Sequence, residues 1–228
     1  MHFAFSAEQI AFRDSVRALL KRECAPASVR AAWSNADGRV AAAWRGLAQL
    51  GVFGVLAPEA DGGPGMTDLD LVLVLEECGR FAAPGPISET AAVAVPLLGA
   101  LATGPARSWL RQVAAGEAGV AVGLAPAPFV LGAEAADVLV LQHGDEVHAM
   151  ERGAVQLEAQ RSVDGARRLS RVTWTPSPAT RLASGKLAAL ALEDARDRAA
   201  SGRRHNDLFP RHPDREGVRH PPHRRSEP

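Results

Sequence analysis

The first half of the chain places apolar residues at helical intervals. Phe12, Val16 and Leu19 recur on this period within residues 5–24, and a capping box at Ser6 marks the start of that segment. The same period continues in residues 39–50, 68–81, 87–101 and 105–117. The near-continuous apolar run of segment 68–81 predicts a helix that is buried on most sides.

The period changes beyond Gly119, where short segments alternate between apolar and polar residues. These predicted strands cover residues 137–142, 146–151, 154–159 and 169–176, with a further helix over 185–195. The pattern predicts an α+β protein with an all-α N-terminal helical domain followed by a small antiparallel β-domain and a disordered C-terminal tail. The expected boundaries are 1–117 for the helical domain, 118–184 for the β-domain, 185–194 for the start of a C-terminal helix and 195–228 for the tail.

Composition narrows the class of protein. With 228 residues, of which 46% are hydrophobic, the chain has enough apolar area for a core, and its 26 basic and 26 acidic residues balance. No global charge therefore predicts a nucleic-acid or membrane partner. Cys24 and Cys78 lack CxxC spacing, which favours reduced thiols, no disulfide and no zinc. The start has no apolar signal region, so we expect a soluble, cytoplasmic protein.

The glycine-rich segment Gly62–Gly65 precedes a predicted helix, which is a geometry that holds anions on backbone N–H groups. It lacks a preceding strand and the lysine of a phosphate-binding loop, so a turn between helices is the favoured interpretation. Four acidic residues near it are candidates for acid–base chemistry if burial raises their pKa values, although solvated surface charge is the favoured interpretation. They are Glu59, Asp61, Glu76 and Glu77.

Other polar groups fall between the predicted strands. An Asp164 carboxylate that accepts hydrogen bonds from Arg167 or Arg168 would fix a loop, and this structural role is favoured over ligand contact. His143 and His148 lie at turn or strand edges. No hydrolytic triad or HExxH motif is present, so we assign no catalytic residue and no metal ligand, and the cofactor-binding residues stay unknown.

Three segments in this order resemble the N-terminal domain of acyl-CoA dehydrogenases. They are "FSAEQIAFRDSVRALLKRE", "AAWRGLAQLGVFGVLAPEADGGPGMTDLDLVLVLEECGR" and "ISETAAVAVPLLGAL". The later "SVDGARRLSRVTW" looks like the end of the short middle β-domain of actinobacterial members, some of which act in steroid or other ring catabolism. The resemblance covers roughly residues 3–192.

The resemblance implies a helical domain, a β-domain and a four-helix bundle that supplies most oligomer contacts. It also implies an FAD cofactor, an acyl-CoA substrate, and removal of the α-hydrogen as a proton and the β-hydrogen as a hydride. The family's flavin segment before the sheet is not visible, because "LAPAPFVLGAEAADVLVL" stands there. The family's catalytic Glu lies in the bundle, so we expect a truncated chain that is inactive alone. The alternative is a non-catalytic subunit of a heteromeric acyl-CoA dehydrogenase.

The last residues have a composition of their own, rich in Arg, Pro and His and poor in apolar residues. Three interpretations remain open: a basic nucleic-acid arm, a metal site, and translation out of frame in GC-rich DNA, which is the favoured one. The metal site would use His205, His212, His220 and His223. Because of its acidic interruptions, we predict no nucleic-acid binding.

Overall fold

A computed structural model describes residues 4–204, with side chains described as far as residue 200. Its α-helices are α1 (Ala7–Glu23), α2 (Pro26–Ala32), α3 (Ala41–Gln49), α4 (Asp68–Arg80), α5 (Val95–Leu101), α6 (Gly104–Ala114) and α7 (Gly185–Arg204). A π-helical turn over Glu89–Ala94 leads directly into α5. Short 3-10 turns lie at Val52–Gly54 and Glu59–Asp61, between α3 and α4.

The helix boundaries follow local signals in the sequence. At the start of α1, the Ser6 amide donates to Gln9 Oε1 at 2.9 Å and the Gln9 amide donates to Ser6 Oγ at 3.2 Å, which confirms the predicted capping box. Gly51 ends α3 in the left-handed region at φ +77°. The five helical segments predicted in the first half are therefore confirmed. The short α2, which begins at Pro26, was not predicted.

Helix α4 is less buried than its apolar sequence predicts. One side, with Leu71, Val74 and Cys78, packs into a core shared with α1 and α3. On the other side, Leu69 is 65% exposed and Val72 is 42% exposed. The expectation of burial on most sides is wrong because no described element covers that face of the helix.

Seven strands form two small sheets. They are β1 (Val120–Gly123), β2 (Val130–Leu131), β3 (Val138–His143), β4 (Glu146–Glu151), β5 (Gln156–Gln160), β6 (Leu169–Thr173) and β7 (Arg181–Ala183). The first sheet has the order β1-β3-β4-β7 and the second has the order β2-β6-β5. All pairs are antiparallel except β1 with β3, which run parallel. The α+β class is confirmed, with one departure from a purely antiparallel sheet.

The helical and β-parts share one hydrophobic core. It joins Leu98 of α5 and Leu110 of α6 to Val140 of β3 and Leu192 of α7, all of them 1% exposed or less. Because these side chains interlock across the two parts, α5, α6 and α7 hold the first sheet against the helices. This packing fixes the edge of the sheet at which the β1–β2 loop and α7 meet.

The expected start of the disordered tail at residue 195 is wrong. Helix α7 continues to Arg204, and Ala195 is only 1% exposed in the shared core. Ala188, Ala191, Ala195 and Ala199 recur at helical intervals and pack toward that core, so small residues extend the helix beyond the last leucine. The four histidines of the C-terminal segment lie outside the described residues.

Candidate functional site

The β1–β2 loop is tied to α7 and to β3 at the edge of the first sheet. Arg196 of α7 donates to the Ala125 carbonyl at 3.2 Å and to Gln142 Oε1 at 3.1 Å. Gln142 Oε1 also accepts from the Ala125 amide at 3.0 Å, while its Nε2 donates to Gly144 O at 2.7 Å. One arginine and one glutamine therefore fix the conformation of the loop and the position of α7 beside it.

A second cluster of polar side chains surrounds a buried histidine in the same sheet. His148 is 1% exposed, and its two ring nitrogens lie 3.0 Å from Thr180 Oγ1 and 3.0 Å from Glu146 Oε2. Arg181 donates to the other Glu146 oxygen at 2.6 Å, and this contact, followed by the one from His148, lowers the pKa of Glu146. The Trp174 ring centroid lies 5.2 Å from that of His148. His148 is thus a satisfied core residue rather than the edge residue that was predicted.

The glycine-rich segment forms a turn whose amides are already used. The amides of Gly62, Gly63 and Gly65 donate to the carbonyls of Glu59, Pro58 and Ala57 at 3.0–3.2 Å. The remaining residue, Pro64, has no N–H to offer. The favoured interpretation as a turn is therefore confirmed, because these amides point inward and none of the three is left for an anion.

An open groove of about 670 Å³ lies beside this turn and is mostly apolar. Its wall includes Phe12, Leu50, Pro64, Met66, Asp61 and Arg111. The Asp61 side chain is 3% exposed and lies 3.3 Å from Arg111 Nη2 and 3.8 Å from Arg107 Nε. The expectation of a solvated Asp61 is wrong, because two arginines of α6 compensate its charge in a buried position.

Glu77 is also buried, contrary to the expectation of surface charge. It is 0% exposed, and its Oε1 accepts from Arg17 of α1 at 2.6 Å while Oε2 lies 3.4 Å from Arg80 Nε. The hydrogen bond from Arg17 lowers the pKa of Glu77. A lowered pKa makes a poor proton acceptor, so the contact is structural. Glu59 and Glu76 are exposed, as expected.

The loop between β5 and β6 is structural, but its partners differ from the expected ones. Asp164 Oδ1 accepts from the Ala166 amide at 2.9 Å rather than from an arginine fork. Arg168 reaches across to the helical part and donates to the carbonyls of Trp33 and Asn35, both at 2.7 Å. Arg168 therefore joins the loop between α2 and α3 to the β-part.

The remaining features to consider are the two cysteines, clusters of metal-ligating side chains and membrane-spanning helices. Cys24 and Cys78 are free and buried, and burial raises the pKa of Cys78 to about 12. Residues 4–204 bring together no cluster of three or more metal-ligating side chains. None of the helices in this range has the length and apolar character that crossing a bilayer requires.

Comparison with known proteins identifies the family of the helical part. Residues 6–117 match the family model "Acyl-CoA dehydrogenase, N-terminal domain". The acyl-CoA dehydrogenase IpdE2 of Mycobacterium tuberculosis is 31% identical over 166 residues, which cover 72% of this chain and 51% of that protein. The chain belongs to the acyl-CoA dehydrogenase family. It spans about half the length of the IpdE2 relatives it matches.

Solved acyl-CoA dehydrogenase structures share the fold. The ChsE4–ChsE5 complex from Mycobacterium tuberculosis matches with a TM-score of 0.66 and 20% identity, over 84% of this chain and 61% of that one. The glutaryl-coenzyme A dehydrogenase glutaryl-CoA complex matches with a TM-score of 0.69 and 17% identity, over 89% of this chain and 64% of that one. Both the helical part and the sheets are therefore those of the family fold.

Family members bind FAD, and the β1–β2 segment stands where the resemblance leads us to expect the family's flavin segment. Residues 124–129 contain no hydroxyl, amide or charged side chain, and Pro126 and Pro128 have no N–H. The amides of Ala125 and Ala127 already donate to Gln142 and to Leu124, both at 3.0 Å. A flavin ring needs hydrogen-bonding partners along its polar edge. The side chains of this segment and the amides of Ala125 and Ala127 offer no partner to that edge.

Proposed function

We propose that the chain is a component of an acyl-CoA dehydrogenase that carries out FAD-dependent α,β-desaturation of an acyl-CoA thioester. By itself it neither holds FAD nor turns over a thioester, because residues 124–129 supply no polar side chain to a flavin. Catalysis then depends on further polypeptide that packs against the described residues. Family membership supports the reaction class, and the surface of α7 supports the dependence on further polypeptide.

Helix α7 carries apolar residues on two faces. One face, with Ala188, Ala191 and Leu192, is buried in the shared core. On the other, Leu187 is 49% exposed and Leu190 is 56% exposed, three residues apart and therefore on neighbouring positions of one surface. A helix that is apolar on both faces is normally covered on both. We infer that a further helical segment of an acyl-CoA dehydrogenase polypeptide packs on the face formed by Leu187 and Leu190.

The test compares the 228-residue chain alone with the chain co-expressed with a complete acyl-CoA dehydrogenase subunit. The chain alone should be colourless and should not reduce an electron acceptor with any acyl-CoA. Co-expression should give a stable complex that carries yellow flavin absorbance and turns over a thioester. The proposal fails if the chain alone retains stoichiometric FAD and desaturates an acyl-CoA.

The contact on α7 has its own control. Leu187→Glu with Leu190→Glu should abolish co-purification, because two carboxylates replace the apolar contact surface. Val163→Glu, at a fully exposed apolar residue of the β5–β6 loop, should leave co-purification intact. Equal loss with both variants would show that added charge, rather than the α7 face, prevents assembly.

A non-catalytic subunit of a heteromeric dehydrogenase is the second candidate. The lack of polar side chains in residues 124–129 favours it. If this chain forms part of the flavin site within the assembly, FAD should slow hydrogen exchange in residues 124–129 of the complex. If the partner alone holds FAD, the exchange of these residues should not change when FAD is added. The ChsE4–ChsE5 complex shows that this fold occurs in a complex of two proteins.

A further inference from the structure

Arg39 is a buried arginine in front of α3. Only 8% of its surface is exposed, and its guanidinium carbon lies 3.9 Å from the centroid of the Trp44 ring. Gly85 flanks the aliphatic part of the side chain at φ +113°, where a Cβ atom would lie 3.1 Å from Arg39 Cγ. The indole and the glycine turn together fix the direction of the guanidinium group.

Two donors of Arg39 have no partner among the described residues. Its Nε and Nη2 atoms are both buried and make no hydrogen bond within the described part of the chain. These N–H groups lie on the same edge of the guanidinium plane and point in parallel directions. That edge matches the two oxygens of a carboxylate or phosphate in a bidentate contact.

The two aspartates whose charges act on Arg39 do not pair with its Nε–Nη2 edge. Asp37 Oδ1 accepts from the Arg39 backbone amide at 3.1 Å, and Asp137 Oδ2 accepts from the Gly119 amide at 2.7 Å. Neither carboxylate reaches the two buried N–H groups. Burial lowers the pKa of Arg39 in spite of the attraction from both aspartates, so its charge is only partly compensated.

We propose that the Nε–Nη2 edge of Arg39 binds the carboxylate group of a small organic acid. A carboxylate is planar and carries one negative charge, which matches one guanidinium whose face is already occupied by Trp44. A phosphate dianion would bring a second charge, which the single guanidinium of Arg39 does not balance. This site shares no residue with the β1–β2 loop or with the exposed α7 face, and it does not depend on the proposed function.

The test titrates sodium formate and sodium acetate into the full chain at constant ionic strength, with chloride as the balancing anion. Binding to the folded state raises the melting temperature in proportion to the logarithm of ligand concentration once the site saturates. Arg39→Met should remove that rise and weaken formate binding by at least about tenfold in calorimetry. Arg171→Met, at a half-exposed arginine of β6, should leave both unchanged.

Several outcomes overturn the proposal. One is an equal rise in melting temperature in Arg39→Met and in the parent protein. Another is the absence of any response to formate or acetate, and a third is a stronger response to inorganic phosphate than to either carboxylate. Saturation-transfer NMR between formate and the parent protein needs no variant, so it tests formate binding even where Arg39→Met folds poorly. Absence of transfer to formate would end the proposal.

Discussion

Two buried charges in this protein stand in opposite situations. At the α1–α4 interface, the Glu77 carboxylate is 0% exposed and is held by Arg17 at 2.6 Å and Arg80 at 3.4 Å. In front of α3, Arg39 is 8% exposed, its guanidinium stacks on Trp44, and two of its donors have no partner in residues 4–204. Both charges are removed from water, but among the described residues only Glu77 is paired by side chains of opposite charge.

The difference separates a structural charge from a binding charge. Removing a buried ion from water costs several kcal/mol unless partners compensate it. At Glu77 the compensation comes from arginines of α1 and α4, so the group joins two helices. At Arg39 it does not come from the described residues, so the guanidinium edge keeps two buried donors without a partner there. Deleting each charge should therefore affect stability in different ways.

The largest effect is expected from Glu77→Ala. The substitution removes a buried carboxylate and its hydrogen bond from Arg17, while Arg17 and Arg80 are 41% and 55% exposed and return to water, so we expect a loss of about 2 kcal/mol in unfolding free energy. Glu76→Ala is the matched control, because Glu76 is the neighbouring residue, its side chain is 45% exposed, and it only pairs with Arg80 at 3.5 Å. The control should cost less than about 0.5 kcal/mol in urea denaturation. Equal losses would mean that Glu77 does not join the helices.

A smaller, pH-dependent effect should come from the same carboxylate. The hydrogen bond from Arg17 lowers the folded pKa of Glu77 below its ordinary value of 4.5, so the unfolded chain binds more protons between the two values. The stabilisation is therefore present above pH 4.5 and is lost as the pH falls through the folded pKa. Glu77→Gln should flatten this acid-side loss in unfolding experiments, whereas Glu76→Gln should keep it. A slope unchanged in Glu77→Gln would assign the acid sensitivity to other groups.

The elements that could be predicted from the sequence are those whose boundaries are set by residues nearby in the chain. Helix α1 begins at the capping box of Ser6, and α3 ends at Gly51, because both signals lie within a few residues of the boundary that they set. Strands β3 and β4 follow from alternation across a two-residue turn. The parallel pairing of β1 with β3 was missed, since it depends on packing between segments joined by a long connection.

The burial of charge was not predicted, because each partner is distant along the chain. Glu77 is paired by a residue 60 positions away and Asp61 by one 50 positions away. Arg39 carried no signal in the sequence, because an arginine before a helix is usually solvated. Its position became visible only when Trp44 and Gly85 were placed around it in the fold. The alanine periodicity of α7, in contrast, was present in the sequence and could have extended the predicted helix.

The smallest change in stability, and the sharpest contrast with Glu77, is expected for Arg39→Met in chloride buffer. The variant removes a poorly compensated buried charge and keeps an aliphatic chain and a sulfur atom against Trp44, so the unfolding free energy should stay within about 1 kcal/mol of the parent or rise. Arg168→Met is the matched control, because it loses two hydrogen bonds of 2.7 Å to the carbonyls of Trp33 and Asn35 and should cost about 1–2 kcal/mol. Urea denaturation of both variants beside the parent measures the difference. A loss in Arg39→Met as large as that in Glu77→Ala would mean that Arg39 is paired in the folded protein, and the contrast between the two charges would then disappear.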